Sequence, residues 1–340
     1  MGILNSRDEH VYIQVAHPYV GEVPNSTGTA TLANTDIVQH IRMQLNRQDN
    51  VIRSAGKTGA LGILPGIKGR RGATWSAEFP FRLSGTAGTA PDLDPILEAI
   101  FGAAGTDTPA TSVAYALTDN ISELTLWSFL TPAATHTPQR CLWGGVLDEF
   151  ELSSGDGEPV LRCSGSGAYV IDKPNFSNFS TAEKGGLSAF PSEPASGAFT
   201  GQIVPAFTGS VTLNSVGTFK VESWSIRGRF NRSARYAYGS YLATVPIAGV
   251  REISMNVRLY LENIANVSTF RELAHSKSTF DGSLVMGDTA GYIATFALNN
   301  ITLNSENFDD SNPEWTIGWQ DNLASMTDAS TKDELTLTLT

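Results

Sequence analysis

Charge is scarce in this chain: Asp, Glu, Lys and Arg together make up 17% of its 340 residues, well below the usual quarter or so of a soluble domain. The 34 acidic side chains outnumber the 23 basic ones, for a net charge of −11. Tight general binding to a phosphate backbone needs clustered Lys and Arg, so that function is disfavoured, although nucleic acid could pass such a surface without adhering. No stretch approaches the roughly 18 apolar residues of a membrane-spanning helix, and the polar start Met1 to His10 does not read as a signal peptide. A soluble protein, intracellular when made and without membrane insertion, is expected. Two cysteines, Cys141 and Cys163, are too few for a disulfide framework and lack metal-ligand spacing, so they read as reduced core thiols.

Catalytic signatures are also missing. The five histidines are scattered with no i,i+4 pair, and no G-x-S-x-G elbow occurs. Ser54-Ala55-Gly56-Lys57-Thr58 hints at a phosphate-binding loop, but Val51 stands where the pattern needs Gly and no helical pattern follows. No cofactor or metal is expected. Asp148, Glu149 and Glu151 suggest the paired acids of a glycosidase. Alternation instead puts Glu149 and Glu151 on one strand face opposite Phe150 and Leu152, the ordinary pattern of a sheet with one polar side.

What is present is period-two alternation, as in Trp75, Ala77, Phe79, Phe81 and Leu83, with Ser76, Glu78, Pro80 and Arg82 on the other face. Pro80 cannot donate to a ladder, which points to an edge or bulge. Two helices are expected. One runs from Asp94 to Phe101 with Asp94 as N-cap, Pro95 first and Gly102 as stop; the other runs from Thr269 to about His275, opened by a Thr269/Glu272 capping box.

The order of elements occurs twice: strand, long loop, strand, helix, hairpin. Leu45-Asn46-Arg47 matches Phe230-Asn231-Arg232 at an offset of 185, and hairpins around Val146 to Ser166 and Ala297 to Trp319 turn through acidic, Pro-containing links. A first β domain over 1–180, a linker over 181–202 and a second β domain over 203–340 are expected. Each domain carries one short helix.

Several stretches together resemble the major tail tube proteins of long-tailed bacteriophages. They are Ala77-Glu78-Phe79-Pro80-Phe81-Arg82-Leu83 with its small-residue link to the helix ending at Gly102, and the hairpin end Ser164-Gly165-Ser166-Gly167-Ala168-Tyr169 before Pro174. The resemblance is concentrated in residues 74–174. It implies a β-sandwich per domain, sheets joining into a ring-shaped barrel, and stacked rings forming the conduit for DNA from capsid to host. With two domains per chain, three chains would complete a pseudo-hexameric ring. The implied partners are further copies of the chain, a tape measure protein, a tail terminator, tail-tip proteins and DNA in transit, in a virion tail assembled in the host bacterial cytoplasm. Other readings are a different tail or secretion-system component, such as a terminator or contractile inner tube, and a β-sandwich carbohydrate-active enzyme. Lumen-facing candidates are Glu149 and Glu151, with Asn300 and Thr302 as their repeat counterparts. The loops 47–72 and 232–251 are expected to contact adjacent rings through Lys57, Lys68, Arg70, Arg71, Arg235, Tyr236 and Tyr238.

Overall fold

A computed structural model describes residues 9–17, 19–21, 31–53, 66–130, 139–154, 158–195, 199, 201–204, 209–213, 218–260, 264–304, 306–309, 316–328 and 330–340. The chain is mainly β, in antiparallel sheets. Its first half contains β1 (Glu9–Ala16), β2 (Ile37–Val38), β3 (Arg42–Ile52), β4 (Ile67–Pro80), β5 (Arg82–Leu83), α1 (Asp94–Phe101), β6 (Thr106–Thr108), β7 (Ser112–Ala116), β8 (Glu123–Leu130), β9 (Arg140–Ser154), β10 (Val160–Gly167) and β11 (Tyr169–Asp172). The second half contains β12 (Gln202–Ile203), β13 (Ser210–Leu213), β14 (Thr218–Phe219), β15 (Val221–Arg229), β16 (Ser233–Tyr236), β17 (Ala243–Ile247), β18 (Glu252–Tyr260), α2 (Ile264–Ser276), β19 (Phe280–Met286), β20 (Ala294–Ile301), β21 (Glu306–Asp309), β22 (Thr316–Ala324) and β23 (Leu335–Leu339).

Hydrogen bonding repeats the same topology twice. Four strands of the first half pair in the order β3-β4-β10-β9, and four of the second in the order β15-β18-β22-β21. A second layer repeats as well, with β2-β1-β8-β9-β11 in one half and β14-β13-β19-β20-β23 in the other. β9 is long enough to serve both layers of its half; in the second half β20 and β21 divide that task. The closing hairpins match in length, since Ser153 pairs with Val160 and Asp309 with Thr316, a shift of 156 residues (160 to 316). The same shift carries Gly144 of β9 (φ 63°) onto Asn300 of β20 (φ 49°), two left-handed positions.

The two fours are one sheet. β9 pairs with β15 from Ser154↔Trp224 to Glu149↔Arg229, so eight strands run without a break across the expected domain boundary. β7 of the first half pairs with β23 of the second, and β5 pairs with β12. Within the expected linker, Leu187 is buried and the Trp143 indole N–H donates to the Glu183 carbonyl oxygen at 3.0 Å, so residues 183 and 187 are held against the first half.

The alternating apolar residues face inward as their period requires, with Trp75, Ala77 and Phe79 of β4 joining Ile253, Met255 and Val257 of β18 in one core. A separate cluster gathers Trp127, Trp143 and Tyr169 under Phe176, Phe179, Leu187 and Phe190. Fully burying one such aromatic contributes on the order of 2–3 kcal/mol. Cys141 and Cys163 are free and buried, and burial raises both thiols above their usual range. Pro80 is the last residue of β4, where its missing donor matters least.

Helix α1 spans Asp94–Phe101, with Gly102 left-handed at its end (φ 77°) and the Gly102 N–H donating to the Glu98 carbonyl at 2.8 Å. Leu93 occupies the N-cap, so Asp94 is the first helical residue and its carboxylate accepts the Tyr115 hydroxyl at 2.6 Å. Helix α2 begins at Ile264, five residues before the expected Thr269, and the Thr269/Glu272 pair lies inside it. Among the described residues, no helix is long and apolar enough to cross a membrane.

Candidate assembly surface

One face of the eight-stranded sheet is polar, and its charges are ordered by register. Across β3, β4, β10, β9 and β15, one row reads Arg42, Glu78, Arg162, Glu151, Arg227. The next row reads Gln44, Ser76, Ser164, Glu149, Arg229, and continues to Glu252 on β18. Opposite charges thus sit side by side on neighbouring strands, where cross-strand pairs attract. Arg227 Nε donates to Glu149 Oε1 at 2.8 Å, Arg162 Nε lies 3.6 Å from Glu78, and Arg258 Nε lies 2.9 Å from Glu222. The four arginines of the two rows are matched by four glutamates.

Glu149 and Glu151 therefore lie on the polar face expected for them, but in balance with arginines. Thr302 reaches this face by register, since it bridges to Leu323, which pairs with Ser254, itself opposite Arg227 in the row of Glu151. Asn300 stands near the end of β20, where its N–H donates to Asp281 at 3.1 Å. The shift of 156 makes Asn307 of β21 the topological counterpart of Glu151. Residues 300 and 302 were paired with Glu149 and Glu151 because the sequence does not show that β9 is divided in the second half.

Within the sheet the two halves meet at a seam between β9 and β15. Gly228 lies against the Phe150 ring, where a Cβ would come within 2.1 Å of a ring carbon, so only glycine lets the strands meet here. Phe150 and Phe230 stack tilted at 5.9 Å. Arg232 then crosses the seam from the second half. Its guanidinium donates at 3.2 Å to the Ala99 carbonyl in the last turn of α1, and at 3.3 Å to the Asn120 carbonyl between β7 and β8. Burial, with Arg251 nearby, pushes its pKa down to about 10. At the far sides of the sheet, β3 and β21 each have one strand neighbour among the described residues.

Both expected loops contain strand among the described residues. β3 and β4 continue to Ile52 and back from Ile67, while residues 54–65, including Lys57 and the Gly56-Lys57 segment, lie outside the described residues. Residues 232–251 form the β16–β17 hairpin, which folds over the first half. The Ala234 N–H donates to Ser166 Oγ at 2.9 Å, and the Arg71 N–H to the Tyr241 carbonyl at 2.7 Å. Arg70 lies over the Tyr236 ring at 5.0 Å, so two of the proposed ring contacts engage each other. Arg71 is committed inside the chain, ion-paired with Glu183 and 3.3 Å from Asp49. Lys68, Arg235 and Tyr238 are exposed.

Sequence reasoning missed the arginine partners of the polar face, which strand register alone reveals. It also missed a serine, histidine and carboxylate trio. Ser122 Oγ is 2.7 Å from His17 Nδ1, and His17 Nε2 is 3.1 Å from Glu98. Ser122 is only 2% exposed, and the trio pins the end of β1 to α1 and the start of β8. Among the described residues, no group of three or more His, Cys, Asp or Glu side chains is placed to hold a metal ion. No family model matches the chain, and a search of curated proteins finds no relative.

Proposed function

We propose that the chain is a structural subunit that closes with copies of itself into a ring, and that the rings stack into the tail tube of a long-tailed phage. The observation that carries this reading is the eight-stranded antiparallel sheet, built from two fours of the same order and ending in two edges with one neighbour each. Exposed edges invite pairing with another chain, and closure into a barrel removes them. Because the number of strands is even, the antiparallel alternation is kept when one copy's last edge meets the next copy's first.

Size favours several copies over one. Eight strands closed on themselves would leave an interior that side chains fill. Three copies at a strand spacing of about 4.8 Å give a backbone circle about 37 Å across, and more once the strands tilt. With the polar face inward, the balanced rows of arginine and glutamate would neither hold nor strongly repel DNA phosphates, as transit requires.

Negative-stain microscopy of the purified protein tests this reading. Hollow rings and stacked tubes are expected. Rings that never stack would favour a terminator-like component, and dispersed monomers at high concentration would overturn the proposal.

A further inference from the structure

We infer that the internal seam between β9 and β15 is the template for the contact between copies, so that β21 of one copy pairs with β3 of the next in a defined register. This rests on the ring reading above and adds to it which strands meet and which residues oppose one another.

The register follows from the repeated topology. In the first half, one row of paired residues is Met43, Ala77, Cys163, Phe150. The matched hairpin lengths make its counterpart Trp224, Val257, Trp319, Glu306. β3 therefore corresponds to β15 at a shift of 181 (43 to 224), four residues from the sequence match of Leu45-Asn46-Arg47 at 185. At the internal seam, Ile226 opposes Leu152 and Arg227 opposes Glu151. Carrying the seam forward by one half sets Leu45 of the next copy against Phe308, Asn46 against Asn307, and Arg47 against Glu306.

A second observation supports the same occupant. The internal seam is covered by the β16–β17 hairpin, which seats on β10 and beside β4. The topological counterpart of that hairpin is the β3–β4 extension, whose end exposes Val51, Ile52 and Ile67 at 60%, 56% and 68%. Leu323, which corresponds to Gly167 beside the seat of β16, is half exposed at 50%, and Met326 is exposed at 44%. An apolar hairpin end from the next copy fits that place, as Ala234 and Ala243 fit against Val146 within the chain.

The test is a disulfide across the seam. Opposed residues on paired antiparallel strands have Cα atoms about 4.5–5.5 Å apart, within the reach of a disulfide. The double variant Asn46→Cys/Asn307→Cys, oxidised as assembled protein, should give covalent dimers and trimers on a non-reducing gel, and each single variant should remain monomeric. The shifted pair Asn46→Cys/Asp309→Cys should cross-link at least about fivefold less, because the separation grows to about 7–8 Å. Equal cross-linking of both pairs, or none in protein that microscopy shows as rings, would overturn the register while leaving the ring reading intact. Absence of rings in the unaltered protein would remove both. Should the variants fail to assemble, hydrogen exchange on the unaltered protein decides: amides of residues 42–47 and 306–309 should slow on ring formation, and unchanged exchange there contradicts the seam.

Discussion

In the first half, the connection between β3 and β4 stays in the plane of the sheet. In the second, the corresponding connection leaves at Phe230 and folds back as β16 and β17 over its neighbour. The strand order beneath them is the same. The shared pairing order sets the geometry in which one half meets the next, whereas the unshared pieces weld the two halves into one unit. Those pieces are β7 on β23, Arg232 on the end of α1, and the Arg71 N–H on the Tyr241 carbonyl.

Breaking the buried ion pair that holds residue 183 to the first half should cost most. Arg71→Ala leaves Glu183 buried without its cation, and a loss of about 3–4 kcal/mol in unfolding free energy is expected by denaturant titration. A change below about 1 kcal/mol would show that residues 181–187 are held by packing alone. The seam comes next. Gly228→Val drives a side chain into the Phe150 ring, with an expected cost of about 2–3 kcal/mol and loss of protection at β15 amides. Valine tolerated at 228 would mean that the halves do not meet as tightly as their pairing shows.

A smaller effect separates the halves by pH. Asp94 of α1 is raised to about 6 by burial, against the pull of the Tyr115 hydroxyl and with Glu98 and Asp107 adding to the rise. A carboxyl whose folded pKa lies above its unfolded value gives most stability while protonated, so its contribution is complete below about pH 4 and fades as pH rises through about 6. Asp94→Asn should then stabilise the protein by about 1–2 kcal/mol at pH 7, a figure discounted for partial exposure, and by nothing at pH 4. Equal effects at both pH values would exclude the ionisation.

The smallest expected effect on folding sharpens the role of the polar face. Glu149→Lys with Glu151→Lys replaces balance by a cluster of like charge, at a cost of about 1 kcal/mol or less for these partly exposed positions. Duplex DNA should be retained by the assembled variant at low salt and released as salt rises, while the unaltered rings let it go. No difference in retention would place this face away from the DNA.

Much of this was legible in the sequence. Alternation located β4 and β9, and Pro95 and Gly102 bounded α1, because period and end signals are local. The doubled order of elements was legible for the same reason. What could not be read depends on contacts between distant strands. Glu149 and Glu151 show their face but not Arg227 opposite, since register across β9 and β15 is set by the packing of Phe150 on Gly228. Asn300 and Thr302 were aligned with Glu149 and Glu151, whereas the matched hairpins align Glu151 with Asn307, because a break within a strand has no composition of its own. Residues 181–202 read as a linker from their Gly and Pro content, yet Leu187 and the Glu183 carbonyl are used by Trp143 and its neighbours.

The central claim is that one chain supplies two equivalent units of a closed ring. Native mass spectrometry of isolated rings, with symmetry analysis of their images, tests it most directly. Three chains per ring with six similar lobes is the expected result; a ring of six full chains, or a chain that never closes with its copies, would contradict it.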